Sequence, residues 1–178
     1  MAHITTGVEY GLHCLLYLVE PLDETRPASV RALAELQGVP AEYVAKLFTK
    51  LQKADLVIAT EGARGGFRLA RQASSISVLD VVTAIDGEKP LFECRDIRGQ
   101  CAVFGGKRPA WTKHGVCSIH AVMLEADARM RKVLASRTLA DISEKVASKA
   151  PAAFMQRLDK WLEEKAAVSR DGRNVRSR

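Results

Sequence analysis

The tripeptide Gly38-Val39-Pro40, which separates two short amphipathic helical patterns, constrains the fold more than any other feature. Before it, Ser29 is placed as an N-cap residue, and the helix that it begins carries Leu33 and Leu36 on one face. After it, the periodicity predicts a second helix over residues 41–54. Two helices joined by a short turn that contains glycine predict a helix-turn-helix.

A basic, glycine-rich hairpin follows these helices. Residues 56–60 and 67–70 have the composition of two short antiparallel strands, and the connection between them supplies three glycines and Arg64. With a further helix predicted over residues 6–20, this order indicates a winged helix-turn-helix, a mainly α fold with a small β-hairpin wing. In such modules the third helix enters the major groove and the wing lies against the neighbouring backbone.

The outward face of the third helix supplies candidate DNA contacts. Its first residues lie at the end that reads bases in helix-turn-helix proteins, where a carboxylate can accept a hydrogen bond from cytosine. Six cations against two carboxylates between residues 46 and 71 favour contact with phosphates. We therefore expect a double-stranded DNA operator as partner. The predicted contacts are Glu42, Tyr43, Lys46, Thr49, Lys50 and, on the wing, Arg64.

A second apolar stripe, late in the chain, predicts self-association. Its members recur at the i, i+3, i+4, i+7 spacing of one helical face. Pairing two such helices across a two-fold axis buries both stripes and lets two half-sites multiply specificity, so we expect a homodimer. The stripe consists of Ile119, Val122, Met123, Ala126, Met130, Val133 and Leu134.

Between and beyond these elements the composition changes. Residues 88–116 lose helical periodicity and are rich in glycine, proline and cations, and the last ten residues hold four arginines and little apolar surface. We divide the chain into a winged helix-turn-helix domain (1–87), a cysteine-bearing sensor loop (88–116), a dimerisation helix region (117–150), a C-terminal helix (151–168) and a disordered basic tail (169–178).

Composition and motifs exclude several function classes. No apolar run is long enough for a membrane helix, and no secretion signal is visible, so we expect a cytoplasmic protein with no membrane partner. No nucleophile elbow or phosphate-binding loop occurs, which predicts neither an enzyme nor a small-molecule substrate. A metal- or thiol-dependent enzyme is the more distant alternative.

The four cysteines divide into one core residue and three candidate ligands. Cys14 lies inside an apolar helical pattern and is predicted to be buried. Cys94, Cys101 and Cys117 flank one glycine-rich loop, which favours ligation of a metal. Zinc is one candidate metal because cysteine and histidine side chains suit it. Glu9 and His13 are four residues apart and therefore project from one helical face.

Several segments, taken in order, resemble the IscR/NsrR/CymR group of bacterial winged-helix regulators, the Rrf2 family. The resemblance runs from about Ile4 to Ile142 and is highly specific. It rests on Val8-Glu9-Tyr10 and on residues 39–44, 51–57, 65–71, 76–87 and 138–142. It implies a dimeric transcription regulator, often one that holds an iron–sulfur cluster through cysteines that follow the wing.

The cysteine spacing departs from the usual family pattern. Six residues separate Cys94 from Cys101, and fifteen separate Cys101 from Cys117, whereas the usual [4Fe–4S] pattern of the family has three cysteines that are closely and evenly spaced. A second family pattern maps better and favours a [2Fe–2S] cluster, held by Cys94 and Cys117 of one subunit and by Glu9 and His13 of the other. Cys101 is then a third ligand, a resolving thiol or a bystander. The alternative is a cluster-free regulator of the same fold that switches by thiol oxidation or zinc.

Overall fold

A computed structural model describes residues 4–19, 27–60 and 65–174. Within these ranges the chain is mainly helical with one two-stranded antiparallel sheet, as the sequence predicts. The elements are α1 (Thr6–Leu16), α2 (Val30–Gln37), α3 (Ala41–Lys53), β1 (Val57–Thr60), β2 (Gly66–Leu69), α4 (Val78–Asp86), α5 (Ser118–Ala135), α6 (Leu139–Lys149) and α7 (Ala152–Asn174).

The helix boundaries follow the local capping signals. Ser29 Oγ accepts a hydrogen bond from the Ala32 amide at 3.1 Å, which confirms it as the N-cap of α2. Gly38 ends that helix in the left-handed conformation, with φ of 65°. Thr138 and Asp141 form a reciprocal capping box at the start of α6.

Helix α1 ends at Leu16, four residues before the predicted end at Glu20. The Leu18 amide donates to the Leu15 carbonyl and the Val19 amide to the Leu16 carbonyl. These i to i−3 bonds tighten the chain into a turn that ends the α-helix. Val19 is nevertheless buried, as its place in the apolar stripe predicts.

The core of the first compact unit lies beneath α3. This unit comprises residues 1–87 and 134–178. Apolar residues spaced along one face of α3 enter the same buried cluster as side chains of α1, α4 and the hairpin. The buried residues of α3 are Val44, Leu47, Phe48 and Leu51, all predicted as its inward face.

A third segment of the chain pairs with the outer edge of the hairpin. Val57 pairs with Leu69 and Thr60 with Gly66 across β1 and β2. On the other side of β2, Phe67 and Ala28 exchange two backbone hydrogen bonds of 2.8 and 2.9 Å. A side chain at Gly66 would collide with the Ala28 carbonyl, so this close approach of two backbones requires glycine.

The second compact unit comprises residues 88–133, a division that differs from the predicted one. The sequence groups residues 117–150 as a single dimerisation region, whereas α6 belongs to the first unit. Short 3₁₀ turns give structure to the predicted sensor loop, which lacks α-helical periodicity; they span Ile97–Gln100, Ala102–Phe104 and Ala110–Thr112.

The C-terminal helix is longer than the sequence predicts. Helix α7 continues to Asn174, six residues past the predicted helix end at residue 168; residues 175–178 lie outside the described residues. Extending an existing helix costs far less than nucleating a new one, so the backbone continues past the last apolar position. None of the described helices is long and apolar enough to cross a membrane.

Replacing Gly66 with alanine should lower the free energy of unfolding by about 1–3 kcal/mol, because the new methyl group meets a backbone carbonyl that is held in place by the Phe67 bonds. Urea unfolding measures this change. Gly38→Asn is the control, since that position is left-handed, has open space around it, and accepts asparagine at well under about 1 kcal/mol. Equal effects of the two substitutions would contradict the packing explanation.

Candidate DNA interface and sensor residues

The exposed face of α3 carries the predicted base-reading residues. Glu42, in the first turn, and Lys46, one turn further on, are both exposed. Thr49 is also exposed, but its hydroxyl donates to the Ala45 carbonyl at 2.9 Å. Glu42 and Lys46 therefore form an outward surface opposite the buried face of the helix.

Lys50 has a structural bond that sequence reasoning missed. Its ammonium donates to the Ile85 carbonyl at 2.6 Å, near the C-terminal end of α4, where carbonyls lack partners within the helix. A cation is favoured there by the helix dipole. Lys50 thus stabilises the packing of α3 on α4, and its predicted contact with phosphate remains a prediction.

Tyr43 links the start of α3 to α1. Its ring meets that of Tyr10 edge to face, with centroids 5.6 Å apart and planes at 86°. Gly7 also lies close to the Tyr43 hydroxyl, since an added Cβ would be 3.4 Å from that oxygen. Tyr43 therefore packs against α1, and its side chain is only partly exposed.

The wing is described only at its base. Thr60 and Gly66 exchange hydrogen bonds through the Thr60 hydroxyl at 3.1 and 3.2 Å, whereas Arg64 lies outside the described residues. Arg68, on β2, is exposed. The alternation of the strand places it outward, so the sequence held a signal for this further cation.

Glu9 and His13 project together into an open groove on the first compact unit. Both side chains are exposed on one face of α1. The groove has a volume of about 440 Å³ and is otherwise lined mostly by apolar side chains of α1 and α6, among them Leu12, Leu16 and Val146. The predicted side-by-side placement of a carboxylate and an imidazole is thus present, and the groove leaves both accessible.

Cys117 is placed where a thiolate is favoured. It directly precedes α5, and the backbone amides of His120 and Ile119 donate to its sulfur, which lowers the pKa of the thiol. Arg98 adds to this lowering, while partial burial and Asp96 oppose it. Because the thiolate is the metal-binding form, Cys117 has the electrostatics of a ligand.

The other cysteines differ in their surroundings. Cys94 is exposed, and its sulfur accepts a hydrogen bond from the Asp96 amide at 3.4 Å. Cys101 is exposed between two 3₁₀ turns. Cys14 is fully buried, and burial raises the pKa of its thiol to about 12, which agrees with the predicted core role.

The described part of one chain does not gather a complete metal site. No group of three or more histidine, cysteine, aspartate or glutamate side chains is placed to hold a metal ion there. Glu9 and His13 belong to the first compact unit, whereas Cys94, Cys101 and Cys117 belong to the second. The donor types fit an iron–sulfur cluster, and each unit supplies part of a set.

Helix α5 exposes the stripe predicted for dimerisation. Ile119, Val122 and Val133 are 65%, 63% and 61% exposed, and Ala126 is also exposed. Met123, Met130 and Leu134 are partly buried. Large apolar side chains exposed in a row are typical of a surface that another molecule covers.

Most of the chain matches a known protein family and named relatives in other bacteria. Residues 4–145 match the family model described as "Rrf2: Iron-dependent Transcriptional regulator". The protein Rrf2 of Nitratidesulfovibrio vulgaris is 32% identical over 139 residues, covering 78% of this chain and 85% of the relative. The HTH-type transcriptional regulator IscR of Vibrio campbellii is 30% identical, covering 78% of this chain and 71% of the relative.

Solved structures share the fold. T. potens IscR superposes with a TM-score of 0.62 and 25% identity, covering 87% of this chain and 96% of that one. CymR of B. subtilis, described as the global cysteine regulator, also gives a TM-score of 0.62, at 20% identity, over 82% of this chain and 98% of its own, which shows a shared fold.

The named relatives are transcriptional regulators, and the helix-turn-helix with its exposed basic face is the corresponding DNA-binding module. The protein is therefore a regulator and not an enzyme. With the family model covering most of the chain, the chain belongs to the Rrf2 family of DNA-binding transcriptional regulators.

Proposed function

We propose that the protein is a homodimeric, sequence-specific DNA-binding regulator that senses redox state, iron or nitric oxide through a [2Fe–2S] cluster near the dimer interface. Cys94 and Cys117 of one subunit and Glu9 and His13 of the other hold the cluster. The observation that carries this proposal is the division of the candidate ligands into two accessible pairs, one in each compact unit.

The residues present suit that group chemically. Thiolate and imidazole are established ligands of [2Fe–2S] iron, and the amides directed at the Cys117 sulfur favour its thiolate form. A carboxylate such as Glu9 is a harder and more easily exchanged ligand than a thiolate. When bound, the cluster would supply a one-electron change of charge. Because Glu9 belongs to α1, this change would act next to that helix.

Dimerisation supplies the second pair of ligands. The exposed stripe of α5 begins at Ile119, two residues after Cys117. A two-fold axis along this helix buries both stripes and brings the cysteine-bearing ends of both chains into the interface region. The sensor and the two DNA-binding modules are then parts of one assembly.

DNA is read by α3 and held by cations. Glu42 and Tyr43 lie at the end of α3 that meets base edges, and Lys46 lies one turn along the same exposed face. Lys50, Arg64 and the exposed Arg68 add positive charge for the phosphates. Two modules related by a two-fold axis call for a pseudo-palindromic operator.

A cluster-free thiol or zinc switch is the second candidate. The exposed Cys101 favours it, because an accessible thiol in the same loop as Cys94 and Cys117 can act as a resolving thiol. A colourless protein that contains stoichiometric zinc after anaerobic purification would support this candidate and overturn the cluster.

Replacing Cys94 with alanine should abolish bound iron and sulfide, because a cluster with one missing thiolate is not retained. Iron and sulfide analysis and the visible spectrum of anaerobically purified protein measure this loss. Cys101→Ala is the matched control, since it removes an equally exposed thiol of the same loop, and its iron content should match that of the wild type. Iron retained by Cys94→Ala or lost from Cys101→Ala would contradict the ligand assignment.

Ligation across subunits should be visible by complementation. The double variants Glu9→Ala/His13→Ala and Cys94→Ala/Cys117→Ala should each bind no cluster as homodimers. Co-expressed, they should form mixed dimers with one complete site, giving about one quarter of the wild-type iron per chain if pairing is random. No iron in the mixed sample, with both variants folded, would place all four ligands on one chain.

Removing a phosphate-binding cation should flatten the salt dependence of operator binding. For Lys46→Ala and Arg64→Ala, we expect the log–log slope to decrease by about 0.9 each, measured by fluorescence anisotropy over a salt series. Lys50→Ala should also lower the free energy of unfolding by about 1 kcal/mol, because the Ile85 carbonyl loses its donor.

The control for the salt series is Lys160→Ala, which removes a cation paired with Glu164 at 4.0 Å on α7. Its slope should equal that of the wild type. Unchanged slopes for both Lys46→Ala and Arg64→Ala would mean that the predicted surface does not face the DNA.

A further inference from the structure

Two arginines of the sensor loop converge on one carboxylate. Arg108 Nη1 lies 2.6 Å from Asp96 Oδ2, and Arg98 Nε lies 3.9 Å from Asp96 Oδ1. Asp96 itself adopts a left-handed backbone conformation, with φ of 51°, which non-glycine residues seldom adopt. Asp96, Arg98, Arg108 and Thr112 form what we call the Asp96 network.

The Asp96 network joins the segments that carry Cys94 and Cys117. On one side, the Asp96 amide donates to the Cys94 sulfur at 3.4 Å. On the other side, Arg98 Nη2 donates to the Gly115 carbonyl at 2.6 Å and to the His114 carbonyl at 3.3 Å, two and three residues before Cys117. The ion pair between Asp96 and Arg98 therefore ties one cysteine segment to the other.

Arg108, whose side chain is 37% exposed, braces this connection from the other side of Asp96. It donates to the Thr112 hydroxyl at 3.1 Å and to the Thr112 carbonyl at 2.8 Å, and Thr112 is fully buried. A Cβ at Gly99 would lie 2.8 Å from Arg108 Cζ. The guanidinium thus lies against the bare backbone of Gly99, and a side chain at that position would require Arg108 to shift.

One donor of the network has no acceptor in the described chain. Arg98 Nε is buried and makes no hydrogen bond among the described residues, because 3.9 Å to Asp96 is beyond hydrogen-bond range. Buried donors are nearly always satisfied in native proteins. Arg98 also acts electrostatically on the Cys117 thiol, so an acceptor bound at that cysteine is a natural partner for this N–H.

We infer that Arg98 is a positioning residue for the sensor cysteines. Held by Asp96 and braced by Arg108, it fixes the Cys117 segment against the Cys94 segment, and its free Nε–H donates to the sulfur of the group that these cysteines bind. The second part rests on the proposed function. The first part concerns the protein without any cluster and stands independently.

The metal-free protein tests the positioning role by amide hydrogen exchange. The amides of Gly99, Thr112 and Lys113 donate to carbonyls within the same loop and report its order. In Arg98→Gln they should exchange about tenfold faster, as expected for losing hydrogen bonds from a charged donor, while amides of α3 keep their wild-type rates. Arg95→Gln is the matched control, since it removes an equal charge at an exposed position of the loop.

Two more variants separate positioning from unfolding. Asp96→Asn should reproduce the faster exchange, because it weakens the hold on both arginines. Arg98→Lys keeps the charge but loses the planar fork of the guanidinium, so its amide exchange rates should fall between those of wild type and Arg98→Gln. If Arg98→Gln unfolds the loop, the rates of Arg98→Lys decide whether Arg98 positions the two cysteine segments. Wild-type exchange in Arg98→Gln and Asp96→Asn would overturn the positioning role.

The cluster-loaded protein tests the donated hydrogen bond. A redox titration followed by visible absorbance should give Arg98→Gln a lower reduction potential than wild type, since losing an N–H donor to sulfur disfavours the reduced form, and Arg95→Gln an unchanged one. Equal potentials would overturn the donation alone. A wild type that binds no iron would overturn the proposed function, and the exchange rates would still decide the positioning role.

Discussion

The first compact unit, which carries the predicted DNA-reading helix, depends on the burial of one face of α3. Phe48, Leu47 and Leu51 enter the core of the first compact unit, and each large apolar side chain stabilises it by about 1.5–3 kcal/mol when fully buried. Once that face is fixed inside, the opposite face must point outward. The outward direction of Glu42 and Lys46 is thus a consequence of how α3 packs, and no additional contact is needed to orient them.

The second compact unit is stabilised by different forces. Of the residues from 88 to 133, all of which are described, Thr112 alone is buried. With no apolar core of its own, this unit depends on the Asp96 network and on short 3₁₀ turns for its order. Such a unit is easily stabilised by a ligand or a partner, because whatever binds the ordered form shifts the equilibrium toward it. Low intrinsic stability therefore suits the proposed sensor, in which this segment responds to the state of its cysteines.

The sequence predicts those features that local patterns determine. The faces of α2 and α3, the Ser29 cap and the hairpin all follow from the spacing of apolar and capping residues over a few positions, and the structure confirms them. The placement of Glu9 and His13 on one face of α1 has the same local origin. In these cases the helical or strand period already decides the outcome.

Features that depend on distant parts of the chain were not predictable in this way. The bond from Lys50 to the Ile85 carbonyl spans 35 positions, and nothing near Lys50 distinguishes it from a lysine free to meet phosphate. Arg98 and Arg108 look like ordinary loop cations until the turns bring them to Asp96. The sequence also predicts that the C-terminal helix ends at residue 168, whereas α7 continues to Asn174, because a helix that has already formed extends at little cost through weak helix formers.

Helix α1 connects the two halves of the proposed mechanism. Glu9 and His13 line its open groove, and Tyr10, adjacent to Glu9, packs edge to face on Tyr43 at the start of α3. Both helices contribute buried side chains to one core, and close-packed cores transmit displacement because they hold few voids to absorb it. A ligand on Glu9 and His13 therefore acts on the helix that supports Tyr43. In the proposed sensor, a change of charge at that ligand reaches the base-reading end of α3 through two rings in contact, without an intervening loop.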